Sequence, residues 1–199
     1  MSDTPQPADY LVNLAIALID SGLDILNQDN LSDDQLKYNS ALIPGASLGR
    51  HFRHVSETYE AFNQSLRSDP YDALHINYDA IMPPSRKSIA RSVEACREAM
   101  TKVREGLVAL HDCEDLEAEL EREVEVVALS PQRQELKSTL GRELWFCSLH
   151  AIHHYTMIRV IACHELLPVE FGTAPSTILY RGKDWKPPVV APFTLKAKM

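Results

Sequence analysis

Glycine and cysteine are scarce in this chain, with seven glycines and four cysteines in 199 residues. So little glycine suits a helical protein better than a loop-rich or all-β one. The cysteines (Cys96, Cys113, Cys147, Cys163) are far apart and form no Cys-x-x-Cys pair. That spacing excludes a zinc ribbon and a disulfide framework. There is no basic stripe either: Lys and Arg are scattered among a larger number of acids, and the net charge is −8. A nucleic-acid backbone or an anionic membrane surface is therefore not the expected main partner. No apolar run is long enough to span a bilayer, because Asn13, Asp20 and Asp24 interrupt the first hydrophobic stretch. Met1–Asp9 contains no Lys or Arg and so lacks a secretory n-region. The expected location is cytoplasmic. The chain also has no Gly-rich phosphate loop, no Gly-x-Ser-x-Gly elbow, no paired-carboxylate motif and no His-Glu-x-x-His.

What the chain does contain is helical periodicity. Residues 9–28 read as a first helix with Leu11, Leu14, Leu18, Gly22 and Ile25 on one face. A polar connector, 29–45, leads to Ser47, a plausible cap for a second helix over 47–66 whose stripe is Leu48, Phe52, Val55, Tyr59, Phe62 and Leu66. Residues 68–84 read as a loop. Ser85 then opens a third helix, 85–111, with the cleanest rhythm: Ile89, Val93, Cys96, Met100, Val103, Leu107 and Leu110. An acidic segment, 112–123, reads as a solvated turn or short helix. Alternation in 123–128, a turn at Ser130-Pro131 and a return by Lys137 predict one small β-hairpin. The fourth helix, 138–166, carries Leu140, Leu144, Cys147, Ala151, His154, Ile158 and Ile161 at helical spacing. The expected fold is all-α, a four-helix bundle with a small hairpin before the last long helix. Its domain covers 9–182, preceded by a disordered N-terminus (1–8) and followed by a proline-rich extended tail (183–199).

Histidine is the residue type that points to chemistry. His150 and His154 are four apart on the fourth helix and share a face. Two neutral imidazoles so placed form a metal pincer, although an ordinary core could also satisfy them with backbone or carboxylate partners. A catalytic zinc-type site needs about three protein ligands and an open position. The second helix supplies His51 and His54, about 60° and 120° from the centre of its apolar stripe. The wheel mildly favours His51 and leaves both open.

Three segments carry a resemblance. They are Ser47-Leu-Gly-Arg-His-Phe-Arg-His-Val, Ser138-Thr-Leu-Gly-Arg-Glu-Leu and Leu149-His-Ala-Ile-His-His-Tyr. Together with Phe171-Gly-Thr-Ala-Pro-Ser-Thr, they resemble the DinB-like (YfiT-like) superfamily of metal-dependent helical bundles over about residues 47–180. The resemblance implies a divalent cation held by a histidine of the second helix that precedes a branched aliphatic residue, and by a His-x-x-x-His pair of the last long helix. Those positions are His54, His150 and His154 here, with His51 in reserve. Zinc is the first choice of ion, with nickel, iron or manganese as alternatives. The resemblance also implies a small-molecule substrate such as a low-molecular-weight thiol, thiol S-transferase or hydrolase chemistry, and leaves a homodimer open. No catalytic residue is assigned. One departure stands out. The branch carries Tyr-Asp-x-Arg-x-Arg between its second and third helices, and this chain reads Tyr78-Asp-Ala-Ile-Met, without either arginine. The competing expectation is a non-catalytic binding or interaction protein whose histidines are structural.

Around the candidate ligands, His153 suits either holding a ligand from behind or simple helix packing. Cys147, one turn before His150, is either a ligand or a buried structural thiol. Glu143, two turns before His150, is an acceptor for a ligand's free N–H, a general base, or a partner for Arg53.

Overall fold

The computed structural model describes residues 7–28, 31–40, 43–67, 73–80, 86–129, 131–162 and 171–182. Eight helices and three strands lie among them, so the protein is mostly helical with a small sheet. Four long helices dominate: α1 (Pro7–Leu26), α3 (Leu48–Leu66), α5 (Val93–His111) and α7 (Leu140–Ile161). α1 and α3 each pack against both α5 and α7, and all four bury side chains in one core.

The clean stripes are the ones that are buried. Phe52, Val55, Tyr59 and Phe62 of α3 face inward, as do Val93, Cys96, Met100, Val103, Leu107 and Leu110 of α5. α1 differs from expectation. Its buried face is Ala8, Val12, Ile16, Ile19, Leu23 and Leu26; of the expected stripe Gly22 and Ile25 are buried, while Leu11, Leu14 and Leu18 are only partly so. α1 is apolar on most sides, so its sequence offers two nearly equal stripes, and packing against α5 and α7 selects one. The helix starts at Pro7, inside the segment expected to be disordered, because proline is well tolerated in a first turn. Residues 1–6 and the 183–199 tail lie outside the described residues.

The third predicted helix is two helices, α4 (Arg86–Ile89) and α5. The break has local causes. Ser92 caps α5 by accepting from the Ala95 amide, and the Asp33 carboxylate accepts from the Val93 amide at 2.8 Å. Asp33 belongs to α2 (Asp33–Lys37), a short helix with a Ser32/Gln35 capping box inside the expected polar connector. The link also crosses Gly49 of α3 so closely that a Cβ there would meet the Ala90 carbonyl oxygen at 2.2 Å. A side chain at 49 would push the link off α3.

The hairpin forms as expected, with β2 (Glu123–Ala128) antiparallel to β3 (Gln134–Thr139) and Val126 opposite Leu136. It is not the only β structure. β1 (Leu74–Ile76), within the expected loop, pairs in parallel with β2 and places Leu74 opposite Val124. A three-residue strand is too short to show alternation, and its partner is 50 residues away, so pairing rather than local pattern creates it. Leu74, Ile76, Val124 and Val126 bury the inner face of the sheet. α6 (Leu116–Glu121) fills the acidic segment, and α8 (Pro175–Tyr180) adds a helical turn where the sequence predicts no element. Among the described residues no helix is long and apolar enough to cross a membrane.

Candidate metal centre

The site grows out of the α3–α7 seam. Thr139 caps α7 and Ser47 caps α3, each hydroxyl accepting from the amide three residues on. Inside the seam, the Tyr59 hydroxyl lies 3.3 Å from the Ser148 hydroxyl, both fully buried. Phe52 meets Tyr155 with ring centroids 6.2 Å apart. With those faces locked, the histidines one turn away are brought together half-buried at the edge of the core.

His54, His150 and His154 converge so that one nitrogen from each lies within 4.8 Å of the others, and this group could hold a metal ion. Ring centroids are 5.0 Å apart for His54–His150, 4.6 Å for His54–His154 and 4.5 Å for His150–His154. The Nε2 atoms of His150 and His154 are 3.2 Å apart. Two nitrogens bound at about 2.0–2.1 Å to one tetrahedral ion would be separated by about 3.3–3.4 Å, so this pair needs almost no adjustment. The donor set therefore fits the group it would receive.

His51 lies elsewhere. Its Nδ1 faces the Nδ1 of His154 at 2.7 Å, which is hydrogen-bond distance and too close for two nitrogens sharing an ion. Its Nε2 is buried with no hydrogen-bond partner among the described residues. His153 is exposed, its ring 5.0 Å from that of His154.

Electrostatics keep His51, His150 and His154 neutral at pH 7. Burial, followed by the neighbouring His54 and His153, lowers His150 to about 4. Burial, followed by His150, His54, His51 and His153, lowers His154 to about 3. His51 is lowered by burial and then by His153. Neutral imidazoles are the form that ligates, so protons offer a cation little competition at neutral pH.

Glu143 bonds to neither a histidine nor Arg53. It is buried, and its two oxygens accept from the Tyr78 hydroxyl at 2.9 Å and the Ser138 hydroxyl at 2.6 Å. Arg53 instead reaches Glu57. Burial, with Cys147 and Glu143 beside it, raises the Tyr78 hydroxyl far above its usual range, so it stays protonated and donates. Cys147 is fully buried against Tyr78 and the Thr58 carbonyl, and burial pushes its thiol up to about 12. It does not join the histidines. His75 is on β1, exposed beside Glu125, and His111 ends α5; His164 lies outside the described residues.

Two neighbours have no place in the sequence reading. Phe146 stacks on His150 (centroids 5.5 Å, interplanar 24°) and on its other side meets Tyr78 at 5.0 Å. Both line a cleft of about 410 Å³ between β2–β3 and the first turns of α7, together with Val126, Leu136, Arg142 and Glu143. Phe146 is legible as the residue four before His150, whereas nothing local points from Tyr78 to a helix that begins 62 positions later.

Comparisons with known proteins add little. No family model matches the sequence, and no solved structure matches it. One curated protein, FK506-binding protein 5 of Rhizopus delemar, is 45% identical over 60 residues, covering 29% of this chain and 15% of that protein. The chain thus spans a small part of the relative it matches, and so short a match places it in no family.

Proposed function

We propose that this chain is a DinB-like four-helix bundle and a metal-dependent enzyme in which His54, His150 and His154 hold one divalent cation. The observation that carries the reading is the convergence of three imidazoles, two of them already at ligand spacing. The all-nitrogen donor set suits zinc first, with nickel, iron or manganese as alternatives. When bound, such an ion supplies Lewis acidity, which makes water or a thiol a nucleophile at neutral pH. Three neutral ligands leave its charge intact and one position open.

The chain's own residues do the rest. Phe146 walls off His150 and, with Leu136 and Val126, offers an apolar surface beside the site for the body of a small-molecule substrate. Thiol S-transfer and hydrolysis are the two reactions this supports. The half-burial of the histidines leaves the site accessible from solvent.

One observation favours the second reading, a non-catalytic binding or interaction protein. The nearest expected general base, Glu143, is committed to Tyr78 and Ser138. The deciding experiment is metal analysis of protein purified without a histidine tag, followed by titration of zinc, nickel, iron and manganese into chelator-treated protein. One equivalent bound tightly is the expected result. No stoichiometric ion under any condition would leave the non-catalytic reading standing.

A further inference from the structure

The 2.7 Å contact between the Nδ1 atoms of His51 and His154 holds exactly one proton, since two would clash and none would leave facing lone pairs. On the other side of the His154 ring, Nε2 faces His150 Nε2 at 3.2 Å. An ion ligated at His154 Nε2 removes the only other site for that imidazole's proton. The proton must then sit on Nδ1, and the group facing it must accept. That group is His51. We propose that His51 is a positioning residue of the metal centre: its Nδ1 accepts from His154 Nδ1–H and fixes the tautomer and ring angle that present Nε2 to the ion.

This rests on the three-histidine reading above. The bond leaves His51's own proton on Nε2, which is buried and has no partner among the described residues. The ion thereby imposes a direction that the pair would not adopt for its own sake. The placement also gives α3 two tasks one turn apart: His54 comes to the ion, and His51 stands behind a ligand of the opposite helix. An acceptor on the free N–H of a ligating histidine is a common support, and its removal weakens metal binding about 10–100-fold.

The test uses the full chain and three variants, His51→Phe, His51→Ala and His51→Gln. Phe keeps a ring of similar size without an acceptor, and Gln offers a carbonyl oxygen. Zinc affinity is measured by competition with a chromophoric chelator, and the zinc-loaded proteins are compared by imidazole nitrogen–proton correlation spectra. His51→Phe and His51→Ala should bind one equivalent about 10–100-fold more weakly. His51→Gln should recover to within a few-fold of wild type. The His154 Nδ1–H resonance should be observed downfield in wild type and move upfield or vanish by exchange in His51→Phe. A merely structural role would not move that resonance while Gln restores affinity. Unchanged affinity and resonance in His51→Phe overturn the proposal, as does failure of Gln to rescue. Loss of the stoichiometric site in His51→Ala, matching His150→Ala, would make His51 a ligand and also overturn it. If one variant does not fold, the other two still decide. If wild type binds no stoichiometric zinc, the metal-centre reading itself has failed, and that result is seen before any variant is compared.

Discussion

The two halves of α7 handle buried polarity in opposite ways. In the first half, Glu143 receives Tyr78 and Ser138, Ser148 meets Tyr59, and Cys147 sits against Tyr78 and a backbone carbonyl. In the second half, His150 and His154 turn nitrogens toward each other and toward His54, at distances that suit a shared ion better than a closed network. Both stretches belong to one helix, and both meet α3, through Tyr59 and Thr58 in the first half and His51 and His54 in the second. The lesson is that burial of polar groups is not in itself a functional signal. A set whose donors and acceptors are matched reads as structure, whereas a set of acceptors crowded around one point reads as a site.

The sharpest way to break this contrast is to remove one member from each half. His150→Ala or His154→Ala should abolish stoichiometric metal binding, His54→Ala should do nearly the same, and Glu143→Ala should leave it intact. Metal content after gel filtration checks this, and loss of metal in Glu143→Ala would erase the distinction between the halves.

A smaller effect is expected in stability. With free metal at a hundred times its dissociation constant, the folded state gains about 2.7 kcal/mol. For a chain of this size that corresponds to a melting temperature about 5–11 °C above that of chelator-treated protein. Scanning calorimetry with and without chelator measures it, and equal melting temperatures would count against a site coupled to folding.

The metal-free protein should also respond to acid through its second half. His150 and His154 titrate near 4 and near 3 when folded, against an ordinary value of 6.5. Between those values the unfolded chain binds more protons than the native one. Their contribution is therefore complete above about pH 6.5 and is lost as pH falls toward 4 and then 3. Urea midpoints at a series of pH values should fall across that window, and should fall less in a His150→Gln, His154→Gln double variant.

The first half should show itself in stability alone. Glu143→Ala strips two partly buried hydroxyls of their acceptor and should cost about 1–3 kcal/mol. Tyr78→Phe removes the hydrogen bond to Glu143 and a longer contact with the Cys147 thiol, and should cost about 0.5–1.5 kcal/mol. Denaturant unfolding of both, with unchanged zinc affinity, would sharpen the division. A Tyr78→Phe effect larger than that of Glu143→Ala would show the network was misassigned.

How much of this was readable beforehand depends on whether the signal is local. The α3 and α5 stripes are strict and continuous, and their large buried apolar residues follow from spacing, while buried small and polar residues such as Ser56, Asn63 and Arg104 do not. The His150/His154 pair is equally local, one helical turn on one face. α1 offered two stripes, and only its neighbours choose between them. β1, the interruption at residues 90–92 and the attachment of Tyr78 to Glu143 arise from contacts between distant segments, on which periodicity is silent. The second-helix histidines lie between these cases. The wheel mildly prefers His51 and the family resemblance points to His54, and both approach His154.

His51 and His154 touch although 103 residues separate them along the chain. Closing so long a loop is entropically costly and belongs late in folding. Neither an isolated hairpin of helices nor a chain still missing its last third can display the cluster. An ion added to unfolded protein would meet local sets such as His51/His54 and His150/His154, along with stray cysteines, and would favour wrong pairings among them. On the proposed reading, metal is best added at the end of refolding, where it would clasp together two distant segments that the finished fold has already brought into contact.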